Sequence, residues 1–302
     1  MKRSEHPKGE LNFDRIKPVI DYALNEDIGS GDITTNSLIP VNLQAKATMV
    51  AKSSGIIAGI SVAEYIFRTL DPHIHWKTFI CDGDRISKGE LILEISGSYR
   101  ALLTGERLAL NFMQRMSGIA TMTNNCVREL EDYGAKILDT RKTVPGLRLL
   151  DKYAVLMGGG TNHRIGLYDM VLIKDNHIKI AGGITDAVAQ IKKNLAENVK
   201  IEVEVTNFEE VKEALNAGVD IIMLDNMTTR NMRESIKLID GRAKIEASGN
   251  MTISRLKEVA STGVDYISIG AITHSVTAFV DLHPFFISRR MLIGTQLFAG
   301  ST

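Results

Sequence analysis

The sequence has few cysteines and no excess of charge of either sign. Its 2 cysteines, Cys81 and Cys126, lie far apart and outside any Cys-x-x-Cys spacing, which argues against a disulfide framework or a zinc site. Basic and acidic residues number 36 each, so the formal net charge is +0. Without a net electrostatic field, we expect no binding to nucleic acid or to a membrane surface. Any anion site must therefore be a local cluster of cations.

Long apolar runs are also absent. No uninterrupted apolar stretch approaches the ~18 residues that indicate a membrane span. The opening residues, MKRSEHPKGELNFD, lack the apolar core of a signal peptide, so we expect a cytoplasmic location. The chain has 302 residues, of which 44% are hydrophobic and 24% charged, as is ordinary for a globular protein. This length fits one large domain or two unequal ones.

The first part of the chain has the pattern of an α+β unit. A helix candidate, FDRIKPVIDYALNED, precedes the strand-like stretches QAKATMVAKSSGIIAGI, IHWKTFI and ELILEIS. A long helical segment follows, TGERLALNFMQRMSGIATMTNNCVRELEDYG, with Leu108, Phe112 and Met116 on its apolar face. Thr104 is its expected N-cap and Gly134 its expected stop.

From Lys136 onward, short apolar runs alternate with amphipathic helices. The runs are AKILDTRK, DMVLIKDNH, KIEVEVTN, DIIMLDN, AKIEASGN and DYISIGA, and a short seventh strand is expected near His163–Ile165. Their Val/Ile/Leu-rich composition indicates parallel strands that are buried on both faces. Each run ends at a polar residue or a glycine. Because all strands of a parallel barrel end on one rim, where active sites form, this pattern favours a barrel over an open sheet.

The residues at these strand ends fall into three chemical groups. Five can bind carboxylate or phosphate oxygens: Arg141, Lys142, His163, Arg164 and Lys174. Two offer the hard oxygen ligands that suit Mg²⁺: Glu204 and Asp225. The turns Ser248-Gly249-Asn250 and Ser268-Ile269-Gly270 offer backbone N–H groups to a phosphate.

Each of these features also has an ordinary structural interpretation. Arg141 and Lys142 alone fit a solvated pair, and His163 alone fits a structural histidine. Lys174 can pair with Glu204 or Asp225, and glycine after a strand is common in turns. These interpretations would have to hold at six strand ends at once, which favours a shared site. The segment EDIGSGDITT, at residues 26–35, looks like a capped acidic loop to which we assign no chemical role.

Seven segments in order resemble the quinolinate phosphoribosyltransferase family, also called nicotinate-nucleotide pyrophosphorylase (carboxylating). They are EDIGSGDITT, TGERLALNFMQRMSGIAT, the run from Leu138 to His177, EVEV, IMLDN, EASGN and YISIGAIT. The resemblance implies a pentosyltransferase of NAD biosynthesis that converts quinolinate and phosphoribosyl pyrophosphate to nicotinate mononucleotide, pyrophosphate and CO₂ with Mg²⁺. It implies an α/β fold with an amino-terminal α/β sandwich, residues 1–118, on which residues 280–302 pack, and an incomplete seven-stranded α/β barrel of the TIM type, residues 119–279.

The resemblance also implies a role for each site residue. The quinolinate pocket would contain Arg141, Lys142, His163, Arg164 and Lys174, and Thr140 would also bind substrate. Our mechanistic hypothesis adds that Lys142 or Lys174 stabilises the ring anion that decarboxylation leaves. Glu204 and Asp225 would act on the ribose and metal side of the donor. Its 5′-phosphate would bind Ser248, Gly249, Asn250, Ser268, Ile269 and Gly270, although many relatives carry glycine where Asn250 stands. Arg107 would reach into a neighbouring subunit's pocket, which implies a homodimer or a larger assembly such as a hexamer.

Three competing interpretations remain open from sequence. A Schiff-base aldolase would use Lys174 at a strand end to attack a carbonyl. A biotinyl or lipoyl carrier domain would use DGDRISKGELILEISG, but Lys88 in SKGE lacks the usual flanking Met or Ala. A paralogue associated with molybdate transport would keep the fold and bind another heteroaromatic acid. The Arg-Lys and His-Arg pairs favour quinolinate.

Overall fold

The computed structural model describes residues 9, 11–194 and 199–276, and the backbone of 286–288. The described residues form two compact units, one built on Phe13–Arg115 and the other on residues 116–276. The division expected at residue 118 stays a prediction. The expected packing of residues 280–302 lies, apart from 286–288, outside the described residues.

The amino-terminal unit contains an antiparallel sheet with helices. Its sheet has the order β12-β1-β5-β3, and a separate pair joins β2 to β4. Helix α3 was not predicted, although Ile60, Ala63 and Phe67 recur at helical spacing and are buried. The elements are α1 (Phe13–Ile28), α2 (Ile33–Leu38), β1 (Gln44–Val50), β2 (Gly55–Ile56), α3 (Ile60–Leu70), β3 (His75–Thr78), β4 (Arg85–Ile86), β5 (Leu91–Ser98) and β12 (Phe286–Ser288).

The long helix α4 (Tyr99–Arg128) begins earlier than expected. Thr104 therefore lies inside it, and the expected N-cap is wrong, as is the expected stop at Gly134. The Thr104 hydroxyl instead donates to Asp32 Oδ2 at 3.2 Å. Asp32 is itself the N-cap of α2 and accepts from the Thr35 amide at 2.9 Å, so the acidic loop is capped as expected. None of the described helices, α4 included, is both long and apolar enough to span a membrane.

The carboxy-terminal unit contains a parallel sheet of six strands in the order β6-β11-β10-β9-β8-β7. All six predicted strands are present: β6 (Lys136–Leu138), β7 (Val171–Ile173), β8 (Ile201–Val205), β9 (Ile221–Asp225), β10 (Lys244–Ser248) and β11 (Tyr266–Ser268). The helices that accompany them are α5 (Arg148–Met157), α6 (Asp175–Ala181), α7 (Ile184–Asn194), α8 (Phe208–Ala217), α9 (Thr229–Ile239), α10 (Leu256–Ala260) and α11 (Ala271–His274), with a 3₁₀ turn at Ile253–Arg255.

A seventh segment pairs with the edge of this sheet. It meets β6 through one parallel bridge between Leu138 and Thr161, so the strand expected at His163–Ile165 lies slightly earlier and is reduced to a single bridge. The Thr161 amide donates to the Ile137 carbonyl at 2.8 Å, and the Asp139 amide donates to the Thr161 carbonyl at 3.2 Å. The strand order and this edge segment agree with the expected incomplete α/β barrel.

Candidate active site

The carboxyl ends of the parallel strands surround a cavity of about 700 Å³. Ile269 is 3% exposed and does not line it, and its amide extends the sheet by donating to the Leu138 carbonyl. Arg107 lies exposed on α4 and is not among the lining residues. The other predicted site residues all line this cavity: Thr140, Arg141, Lys142, His163, Arg164, Lys174, Glu204, Asp225, Ser248, Gly249, Asn250, Ser268 and Gly270. The structure therefore brings these thirteen residues to one opening, while their chemical roles stay predictions.

The convergence follows from the alternation of side chains along strands. Successive side chains point to opposite faces of a strand, so residues two apart share a face. In β8, Val203 and Val205 are fully buried on one face, whereas Glu204 points to the cavity. Glu204 is in register with Met223 of β9, which is in register with Glu246 of β10, and all three line the cavity.

Two arginines form a cationic wall in the cavity. The Nε of Arg141 is buried and has no hydrogen-bond partner among the described residues. Arg164 donates from Nη1 to the Met170 carbonyl at 3.2 Å, and burial followed by the nearby charge of Arg141 lowers its pKa. A buried donor without a partner is costly, so Arg141 is arranged for an acceptor supplied by a ligand. The wall is suited to carboxylates or phosphates.

Acidic side chains of β8 and β9 also line the cavity. Lys174 forms an ion pair with Glu204, as the structural interpretation of this lysine anticipated. Asp225 Oδ2 accepts from the side-chain amide of Asn226 at 2.7 Å. Glu204 and Asp225 both line the cavity, so these contacts do not remove their carboxylates from the reach of a bound ligand. Asn226 was missed from sequence, although its position directly after a strand-terminal aspartate resembles that of the predicted residues.

The turn after β10 depends on a glycine. Gly249 has a φ of +92°, and a Cβ there would overlap the side chain of Asn226. Asn226 and Asn250 also have positive φ, at 53° and 47°, and Asn250 Nδ2 donates to Asn226 Oδ1 at 3.1 Å. At Gly270 a Cβ would lie 3.0 Å from Lys142 Cδ, so this glycine makes room for the lysine. These close backbone approaches suit a phosphate-binding turn.

A buried acidic pair lies near His163. His163 Nε2 lies 2.9 Å from Glu202 Oε2 and 3.5 Å from Glu246 Oε2, but neither contact has hydrogen-bond geometry. His163 Nδ1 accepts from the Arg164 amide at 2.8 Å, so the ring proton belongs on Nε2. The ligand atoms of His163, Glu202 and Glu246 lie within 4.8 Å of one another, but a metal ion there would need the lone pair of Nε2, which this tautomer does not offer.

The acidic pair predicts a pH-dependent cost to folding. Burial, and then the charge of Glu202, raises the pKa of Glu246 to about 8, and burial raises that of Glu202 to about 7. Each folded-state pKa is raised, so the folded protein binds more protons than the unfolded chain and loses stability as pH rises from ~4.5 toward 8. Glu246→Gln removes one titrating group and should stabilise the protein by on the order of 2 kcal/mol at pH 8.5, with less gain at pH 5.

Thermal melts of both proteins across this pH range measure the effect. Glu209→Gln is the control, because the Glu209 side chain is 81% exposed and forms a surface ion pair with Lys212. Its melting-temperature difference from the parent should stay small at every pH. A gain for Glu246→Gln that did not change with pH would contradict the assignment of the burial cost to ionisation.

The fold and the site together define a class of protein. A parallel α/β unit with a cation-lined cavity at the carboxyl ends of its strands is an enzyme architecture for small anionic substrates. Residues 32–117 match the family model "Quinolinate phosphoribosyl transferase, N-terminal domain", and residues 119–283 match the corresponding C-terminal domain. The chain belongs to the quinolinate phosphoribosyltransferase family.

Relatives and solved structures agree with this membership. The chain is 47% identical over 291 residues to the chloroplastic nicotinate-nucleotide pyrophosphorylase [carboxylating] of Oryza sativa subsp. japonica, covering 90% of this chain and 78% of the rice protein. It is 44% identical over 299 residues to the mitochondrial quinolinate phosphoribosyltransferase [decarboxylating] 2b of Nicotiana tabacum, covering 92% and 83%. The crystal structure of NadC from Streptococcus pyogenes has a TM-score of 0.88 at 42% identity, covering 93% of this chain and 98% of that one.

Proposed function

We propose that this protein transfers the phosphoribosyl group of phosphoribosyl pyrophosphate to quinolinate and releases pyrophosphate and CO₂, which forms nicotinate mononucleotide. The tobacco relative is named a quinolinate phosphoribosyltransferase [decarboxylating], and the rice relative a nicotinate-nucleotide pyrophosphorylase [carboxylating]. The observation that carries the proposal is the cationic wall in a cavity of about 700 Å³, where the buried Arg141 Nε has no hydrogen-bond partner in the described part of the chain. Such a cavity has room for a pyridine dicarboxylate beside a phosphorylated sugar.

The charges of the substrates explain why several cations are needed. Quinolinate carries two carboxylates, and the donor carries a diphosphate and a 5′-phosphate. Moving these anions out of water is costly unless each is paired and hydrogen-bonded. Arg141 and Arg164 offer planar donor pairs for the carboxylates, and Lys142 adds a third positive charge. The turns at residues 248–250 and 268–270 are assigned to the 5′-phosphate, which they can reach with backbone N–H groups.

The donor set fits magnesium. Glu204 and Asp225 come from adjacent strands and present hard carboxylate oxygens to the same cavity. Each is held from one side, Glu204 by Lys174 and Asp225 by Asn226, which fixes its orientation. Bound there, Mg²⁺ would supply positive charge to the diphosphate of the donor. Glu204 and Asp225 would hold the ion and orient the ribose of the donor.

The reaction is a displacement followed by a decarboxylation. The pyridine nitrogen forms a bond to the anomeric carbon of the ribose as the bond to pyrophosphate breaks and its electron pair leaves with pyrophosphate. The ring nitrogen then carries positive charge. The bond from the ring to the 2-carboxylate breaks, CO₂ leaves, and the electron pair stays on the ring carbon until that carbon takes a proton from water. Lys142 or Lys174 stabilises this ring anion by its charge.

An aldolase mechanism is disfavoured by the environment of Lys174. A Schiff base requires a free amine that can reach a carbonyl, whereas the Lys174 side chain is engaged in an ion pair with Glu204. The proposed mechanism needs no covalent bond to the enzyme.

The proposal includes a homodimer in which Arg107 completes the neighbouring subunit's site. Rice and tobacco relatives are named chloroplastic and mitochondrial, and the cytoplasm remains the expectation for this chain.

Release of labelled CO₂ from quinolinate carrying ¹⁴C in its 2-carboxylate tests the proposed function. Release should require both phosphoribosyl pyrophosphate and Mg²⁺, and one nicotinate mononucleotide should form for each CO₂. Treatment with EDTA should reduce the rate by more than about a hundredfold, and added Mg²⁺ should restore it. Equal conversion of nicotinate, or CO₂ release without the donor, would refute the proposal.

A further inference from the structure

A buried ion pair lies next to the cationic wall without lining the cavity. Asp139, which follows β6, is 0% exposed, and Lys152 on α5 is 1% exposed. The Lys152 ammonium bonds to Asp139 Oδ1. Burial raises the pKa of Asp139 to about 6 and lowers that of Lys152, while each charge opposes the shift of the other. A buried pair often stabilises a fold no better than apolar residues of the same size, so its presence calls for another explanation.

Both partners hold the backbone of one residue. The His163 amide donates to Asp139 Oδ1 at 2.9 Å, and Lys152 Nζ donates to the His163 carbonyl at 3.0 Å. Asn162 adds to this arrangement: in the side-chain orientation that satisfies both ends, its amide nitrogen donates to Asp139 Oδ2 at 2.6 Å and to the Lys152 carbonyl at 2.9 Å. Two strand-end segments of the chain are thus joined by charged and polar bonds.

These two segments carry the arginines of the wall. Arg141 follows Asp139 by two positions, and Arg164 directly follows His163, whose Nδ1 accepts from the Arg164 amide. Sheet pairing holds the segment of His163 and Arg164 weakly, because this segment meets β6 through the single bridge at Thr161. The ion pair therefore supplies the attachment that a longer strand would otherwise provide.

We propose that Asp139 and Lys152 are positioning residues that set the spacing of Arg141 and Arg164 for the two carboxylates of the pyridine substrate. The inference rests on the proposed function. Neither residue contacts the substrate, and both act through the backbone at His163. Loss of the pair should therefore weaken binding of the dicarboxylate more than it affects the donor or the chemical steps.

The double variant Asp139→Leu/Lys152→Met separates positioning from stability. Either single change leaves a buried charge without its partner and should lower the melting temperature strongly. The double variant removes both charges but also leaves the His163 amide and carbonyl without these partners, so it should melt below the parent and above either single variant. Its KM for quinolinate should still rise at least about tenfold, while kcat and the KM for phosphoribosyl pyrophosphate change less than about threefold.

A matched control uses another ion pair of the same unit. Lys244 pairs with Asp265, whose other oxygen accepts from the Ile245 amide at 2.9 Å, at the opposite ends of the strands. Asp265→Leu/Lys244→Met should leave both KM values unchanged. If the Asp139→Leu/Lys152→Met variant does not fold, Asp139→Asn/Lys152→Met replaces it, because asparagine keeps an acceptor for the His163 amide and neither buried charge remains. The expected rise in the quinolinate KM is then about threefold to tenfold.

The outcomes distinguish the two proposals. An inactive parent protein would remove the proposed function itself. An active parent, together with a folded variant whose quinolinate KM is unchanged, would overturn only the positioning role. An equal loss of kcat/KM for both substrates, in proportion to the fraction of folded protein, would likewise show that the pair is purely structural.

Discussion

Replacing Arg141 by alanine is expected to lower kcat/KM for quinolinate by about 100- to 1,000-fold, which corresponds to ~3–4 kcal/mol of transition-state stabilisation. The side chain carries a buried Nε without a hydrogen-bond partner among the described residues and stands in the same cavity as Arg164. Alanine would leave a substrate carboxylate unpaired in a partly dry site, and this desolvation cost is the source of the loss.

Steady-state kinetics with both substrates measure this loss. Arg141→Lys is the informative comparison, because lysine keeps the charge but not the planar pair of donors, so it should recover only part of the activity. Arg233→Ala is the control, since Arg233 is an exposed arginine of the same unit that donates to Ser261. An Arg141→Ala enzyme with kcat/KM within about threefold of the parent would contradict the assigned role.

Mixing two inactive variants should restore activity if Arg107 serves the neighbouring subunit. Arg107→Ala and Arg141→Ala each disable every site of their own homodimers. After random exchange of subunits, half of the dimers are hybrids, and one of the two sites in each hybrid has both arginines. About a quarter of the parent activity should therefore return. Arg107 is exposed on α4, as such a role requires.

The control for this experiment mixes two variants of the same cavity. Arg141 and Arg164 both line the cavity of one chain, so hybrids of Arg141→Ala and Arg164→Ala contain no complete site. No activity should return in that mixture. Recovery in the control, or no recovery with Arg107→Ala under conditions where subunits demonstrably exchange, would count against a shared site.

Local sequence patterns were sufficient to predict the six strands and the convergence of their carboxyl ends. A run such as IEVEV has strand composition, and parallel strands place their carboxyl ends together, so residues such as Glu204 and Asp225 could be brought to one opening without coordinates. The start of α4 was placed too late, because Thr104 is a good capping residue that instead bonds to Asp32 from inside the helix. Capping chemistry alone did not determine the helix boundary.

The buried charged residues could not be predicted from local sequence patterns. Glu202 alternates with apolar residues, as a solvent-facing residue does, but its strand has no solvent face and its side chain is 0% exposed. Asp139 and Lys152 belong to a strand end and a helix, and nothing in the intervening sequence shows that they pair. Such pairs depend on how elements pack, which a hydrophobic pattern does not encode.

A crystal structure with quinolinate and a non-reactive analogue of phosphoribosyl pyrophosphate tests the central claim most directly. The account predicts both ligands in the one cavity, with the quinolinate carboxylates ~3 Å from the guanidinium groups of Arg141 and Arg164. The 5′-phosphate should lie at the turn of residues 248–250 and the adjacent turn of residues 268–270. A structure with either ligand bound outside this cavity, or with the carboxylates away from both arginines, would contradict it.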